Sequence, residues 1–150
     1  FEIENHGTEH KPLSVSGKSA YHIQGTKNVK EIYEEIEGNA KKLEKLTGKR
    51  PKYFRAGTAY VDNVSVKIAE DLGTKLVGFD LLGDAGATFS KSQIEKQMKM
   101  VKPETIAIFH MNRPKGYTYE GLKESLPELK KKGYQFVKLK DMDKNLSDKP

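Results

Sequence analysis

The stretch DLGTKLVGF, Asp71–Phe79, decides the fold. Its first residues close a run with helical spacing and Gly73 stops that run. Leu76-Val77-Gly78-Phe79 then follows as a short apolar run of buried-strand type. The same order of helix, glycine and strand returns in LTGKRPKYF (46–54) and KKGYQFV (131–137). Strands that alternate with helices of this length need crossover connections, which predicts a parallel sheet.

Outward from that stretch the rhythm holds. Val29, Ile32, Tyr33, Ile36, Ala40, Leu43 and Leu46 recur at helical spacing, with Thr26 or Asn28 as cap and Gly48 as stop. Asp62 or Asn63 opens a second helix carrying Val64, Ile68, Ala69 and Leu72. Ser90 caps a third, with Ile94, Met98 and Val101 on one face, and Pro103 closes it before the strand Thr105 to Phe109. Thr118 begins a fourth, with Leu122, Leu126 and Leu129, in which Pro127 kinks the helix or marks a late first turn. Tyr134 to Leu139 reads as the last strand. With the opening FEI this gives an α/β protein of about five mainly parallel strands and four helices. That is too few strands for a closed eight-stranded barrel, but it fits an open sheet or part of a barrel. Residues 1–140 are expected to form one domain, and 141–150 (DMDKNLSDKP) a frayed polar tail.

The composition narrows the function classes. A net charge of +6 invites a nucleic-acid partner, but Arg50, Arg55 and Arg113 are the only arginines, and base reading leans on Arg. No nucleic acid is therefore expected, whereas a basic surface suits an anionic partner such as cell wall. Cysteine is absent, which excludes thiolate metal sites, disulfides and a Cys nucleophile. No run of 18 apolar residues exists, so no membrane span is expected. Phe1 opens inside what reads as a strand, with no initiator Met and no signal region, as in a processed or truncated piece of a longer chain.

In parallel α/β sheets ligands bind beyond the carboxyl ends of the strands. His6 and His10 follow FEI, Arg55 follows Tyr53-Phe54, Asp80 and Asp84 lie in the loop FDLLGDAGAT (79–88), and His110 follows Ile108-Phe109. Their convergence on one face outweighs any single motif. Each also has a plainer reading: a chance pair of histidines, a surface ion pair for Arg55, a core histidine, an aspartate capping a turn. Zinc takes neutral imidazoles, and a catalytic site needs about three protein ligands, so two histidines leave the set incomplete. His22, in AYHIQG, reads as peripheral. SGKSAY (16–21) lacks the upstream glycine of a phosphate loop, GDAG lacks dinucleotide spacing, and no G-x-S-x-G elbow exists.

The segments NHGTEHKPLS (5–14), YFRAGTAY (53–60) and IAIFHMNRPKGYTYEGLKESLPELKKKGYQFVKL (106–139) resemble the polysaccharide deacetylases with a NodB-homology domain. The resemblance covers nearly the whole chain and implies part of a distorted (β/α) barrel. It implies a divalent metal, zinc above all, held by His6 and His10, with the T-F-D-D-G segment that carries the base and third ligand lying upstream of Phe1. Arg55 would orient that base, a backbone N–H near Thr58 would hold the oxyanion, and His110 with Ile108 beside it would supply the catalytic acid. Asp84, or else Asp80, would orient His110. Ala56 and Gly57 depart from the family's proline-bearing segment, and the D-x-x-D-W segment is not recognisable.

The implied reaction removes N-acetyl groups from an amino-sugar polymer, peptidoglycan or an N-acetylglucosamine oligomer, outside a bacterial cell or at its wall. The alternatives are a non-catalytic glycan-binding relative of the same fold and an unrelated α/β protein that binds a phosphorylated small molecule. A homo-oligomer through an exposed sheet edge is a further expectation.

Overall fold

The computed structural model describes residues 1–146; the last four residues of the expected tail lie outside them. The chain divides into two compact units, Phe1–Gly78 and from Phe79 onward.

In the first unit α1 (Val29–Thr47) is capped by Asn28, whose side chain accepts the N–H of Glu31, and ends at Gly48 in the left-handed region. Ile32, Ile36 and Ala40 form its buried stripe, while Val29, Tyr33 and Leu46 from the sequence pattern are exposed. β1 (Tyr53–Phe54) leads through a 3-10 turn at Gly57–Ala59 to α2 (Asn63–Asp71), whose cap is Asp62, and back to β2 (Lys75–Leu76), parallel to β1. Leu13, Ile32, Ile36, Phe54, Ala56 and Ala69 make the core. At the rim of this unit the Arg50 guanidinium pairs with the nearly buried Glu37 carboxylate.

In the second unit β3 (Leu81–Leu82) runs parallel to β4 (Ala107–Ile108), joined through α3 (Lys91–Met98). Ser90 and Gln93 close a reciprocal capping box at the start of α3. α4 (Thr118–Lys131) packs on α3 and carries Pro127 within it. Leu81, Ile94, Met98 and Leu129 form the core, with Phe109, Leu122 and Leu126 against it.

The alternation of helices and parallel strands is as the sequence predicts; the strands differ. The opening FEI is not a strand, since Phe1 and Ile3 are exposed and only Asn5 bridges β1, in parallel to Phe54. The run predicted at 76–79 pairs one residue earlier, at Lys75–Leu76, and β3 lies inside the stretch read as a glycine-rich loop. The strand predicted at 105–109 shrinks to β4 because carboxylates cut its ladder at both ends. Asp80 Oδ2 accepts the N–H of Ile106 (2.9 Å), and Asp84 Oδ2 accepts that of His110 (2.7 Å). Tyr134 to Lys138 forms no strand; Tyr134 is anchored by its hydroxyl donating to Val101 O, the Lys138 carbonyl accepts the N–H groups of Asp141 and Met142, and Phe136 and Val137 are exposed. The expected frayed tail begins instead as a helix, α5 (Leu139–Leu146).

Candidate active site

The first unit places His6, His10, Arg55 and Thr58 together. Asn5 N–H donates to Tyr53 O (3.1 Å) and Arg55 N–H to Asn5 O (3.0 Å), so the opening segment runs beside β1 and delivers His6 to Arg55. His6 Nδ1 lies 2.6 Å from the Arg55 carbonyl oxygen. A carbonyl only accepts, so Nδ1 carries the hydrogen and the lone pair sits on Nε2, the arrangement that orients a metal-binding imidazole. His10 meets His6 edge to face, with centroids 4.6 Å apart and rings at 89°. Both imidazoles are exposed, and His10 holds a left-handed backbone with φ 58°.

The turn after β1 fits under this pair. A Cβ on Gly57 would stand 1.9 Å from His10 O, so only glycine admits the approach. Thr58 is left-handed as well (φ 63°, ψ 5°), and its buried Oγ1 has no hydrogen-bond partner. Arg55 donates from Nη2 to Gly78 O (2.8 Å), while its buried Nε has none. Burial pushes the guanidinium pKa down from its ordinary value. An orphaned guanidinium nitrogen and an orphaned hydroxyl thus lie close together in sequence, at Arg55 and Thr58.

The second unit joins Asp84 and His110. Asp84 follows β3 and is fully buried; His110 follows the strand that pairs with it. Asp84 Oδ1 lies 2.8 Å from His110 Nδ1, and Oδ2 accepts both the His110 N–H and the Thr118 hydroxyl (2.9 Å). Burial alone would raise the Asp84 carboxyl. The His110 ring and backbone, the Thr118 hydroxyl and the Ala87 backbone outweigh it and hold the carboxyl below its ordinary value. The imidazole is thus fixed in orientation and tautomer, with Nε2 directed away from the carboxylate. Asp80 does not take this part, because its carboxylate holds Ile106 N–H. Ile108 is half-buried on β4, its carbonyl accepting the N–H of Gly83. His22 sits apart in the tight turn closed by Ala20 and Ile23. Thr118 was legible only as a helix start; its hold on Asp84 has no local sequence signal.

In donor chemistry the His6–His10 pair fits a divalent cation such as zinc. Among the described residues no group of three His, Cys, Asp or Glu side chains stands ready to hold a metal.

Each unit carries one parallel strand pair, with two exposed histidines set edge to face in the first and a buried aspartate holding a histidine in the second. Residues 1–77, just over half the chain, match the family model described as polysaccharide deacetylase, and the chain belongs to that family. No curated protein matches the sequence. Among solved structures, the chain is similar to a peptidoglycan N-acetylglucosamine deacetylase bound to 4-naphthalen-1-yl-N-oxidanyl-benzamide (22% identity, TM-score 0.78, 94% of this chain and 62% of that one). It is similar also to a family 4 acetyl xylan esterase from Clostridium thermocellum in complex with a cobalt ion (22%, 0.75, 93% and 62%). A third is a CE4 family pseudoenzyme from Bacillus anthracis (20%, 0.69, 89% and 43%). The chain spans 43% to 62% of the length of these structures. Its fold is that of part of the NodB-type (β/α) barrel. Among the described residues no helix is long and apolar enough to cross a membrane.

Proposed function

We propose that this chain belongs to a metal-dependent hydrolase that removes N-acetyl groups from an amino-sugar polymer, peptidoglycan or an N-acetylglucosamine oligomer, in an extracellular or cell-wall setting. The observation that carries the reading is the fully buried Asp84 holding His110 through both ring and backbone. A surface that merely bound sugar would gain little from burying a carboxylate to aim one imidazole.

His6 and His10 would hold the ion, most simply zinc, with a further carboxylate that the described residues do not set beside them. When bound, the ion supplies Lewis-acid chemistry, polarising a carbonyl and bringing a water's pKa to about 7. Arg55, through its unpartnered Nε, would hold a carboxylate base ionised and aimed. A backbone N–H at Thr58 would donate to the developing oxyanion, a contribution of about 2.7–4 kcal/mol for one good donor. Ile108 would line the acetyl side. His110 would give its Nε2 proton to the departing amine, because an amide anion leaves poorly; such general acid help is worth roughly 10²–10⁴-fold.

The test is acetate release from an N-acetylglucosamine oligomer by the full natural chain, with and without chelator. Chelator-sensitive release that His110→Ala abolishes, with metal still bound, is the expected result. Release indifferent to chelator, or undiminished in His110→Ala, would refute the assignment. Sugar binding with no release at all would favour the non-catalytic relative.

A further inference from the structure

The buried face of α1 carries one acid where the helical stripe calls for an apolar residue. Glu35 stands between Ile32 and Ile36 and is 3% exposed. Its carboxylate does not lie idle in the core. Oε1 accepts the N–H of Glu9 (3.0 Å) and that of Lys11 (3.1 Å), and Oε2 also accepts from Glu9 (3.2 Å). Its backbone carbonyl accepts the N–H and the hydroxyl of Thr8 (both 3.1 Å). One residue thus takes donors from both neighbours of His10 and from the start of the same loop.

Two backbone features make the grip possible and necessary. A Cβ on Gly7 would stand 2.4 Å from Glu35 Oε1, so the carboxylate reaches under the loop only because residue 7 has no side chain. His10 is left-handed (φ 58°), a conformation disfavoured for a residue with a Cβ and kept only when its surroundings impose it. Glu35 holds the amides on either side of it.

We propose that Glu35 is the positioning residue of the histidine pair. Its carboxylate clamps the amides of Glu9 and Lys11, locks the left-handed turn at His10, and so sets the His10 imidazole edge-on against His6. The inference rests on the reading of His6 and His10 as metal ligands and adds the device that preorganises them. The carboxylate acts as a hydrogen-bond acceptor toward main chain, not as a ligand.

Zinc affinity, measured by competition with a chelating dye on the full chain, decides it, with Glu35→Leu, Glu35→Gln and His10→Ala as variants. Leu keeps the volume but removes the acceptors; Gln keeps Oε1, which alone accepts both amides. Glu35→Leu should bind zinc about 10–100-fold more weakly, the usual effect of losing a residue that supports a ligand, while Glu35→Gln stays within about threefold of the natural chain. Natural affinity in Glu35→Leu, with binding lost in His10→Ala, would overturn the clamp and leave the ligand reading intact. No zinc binding by the natural chain, or unchanged binding in His10→Ala, would remove the ligand reading and the inference with it. Should Glu35→Leu not fold, amide exchange in the natural chain takes its place. The Glu9 and Lys11 amides should exchange slowly although Glu9 and His10 are exposed, and fast exchange at both would overturn the clamp.

Discussion

Asp84 carries more of this site than any other single side chain in the second unit. Its carboxyl pKa is lowered in the folded chain, so its ionised form contributes stability above the ordinary aspartate value of about 4. That contribution is lost as pH falls through the lower folded value. Asp84→Asn puts an amide nitrogen among donors, and should destabilise the second unit by about 1–3 kcal/mol at neutral pH. The gap from the natural chain should narrow at acid pH; denaturant titrations at both would show it, and a constant gap would contradict the account. Gly57 is decisive in the first unit for a steric reason, the 1.9 Å approach of a Cβ to His10 O. Gly57→Ala should move the His10 turn, lower thermal stability by the equivalent of about 1–3 kcal/mol and weaken zinc binding. An unchanged melting temperature together with unchanged zinc affinity would show the loop to be more yielding than the packing implies.

Helices α1 to α4 were legible in the sequence because their signals are local, whereas α5 was read as a strand end and a tail. Asn28, Asp62 and Ser90 each cap where the pattern allowed a cap, and each accepts the N–H three residues on. The strands were less so, because their ends are set by distant carboxylates: Asp80 and Asp84 reach residues 26 positions away. Separations of 24 to 34 positions likewise hid Thr118 and Glu35, although an acid within the buried stripe of α1 was a visible irregularity. Arg55, Asp84 and His110 do follow β1, β3 and β4, as a strand-end reading expects, whereas the strand expected before His6 and His10 is absent. Between α3 and α4 the contact turns on Gly121, where an added Cβ would lie 2.4 Å from Ile94 Cγ2 and 2.6 Å from its Cβ. Gly121→Ala would gain about 1 kcal/mol of helix propensity, but forcing α3 and α4 apart costs roughly 1–3 kcal/mol. Net destabilisation in urea is expected, and a more stable variant would show that Ile94 can repack.

At the scale of the molecule, each unit has its own core and its own parallel strand pair, and the family match falls on the first. Phe136 and Val137 are neighbours in sequence and both exposed. This places two adjacent apolar side chains largely in solvent. A half-exposed stretch rich in strand-favouring residues is the kind that drives chains to stick to one another in concentrated solution. Val137→Lys would place a gatekeeping charge there while altering stability by no more than about 0.5 kcal/mol. Light scattering of concentrated samples should fall in that variant and soluble yield should rise. Unchanged scattering would absolve the segment and direct the search for a stabilising additive elsewhere on the surface.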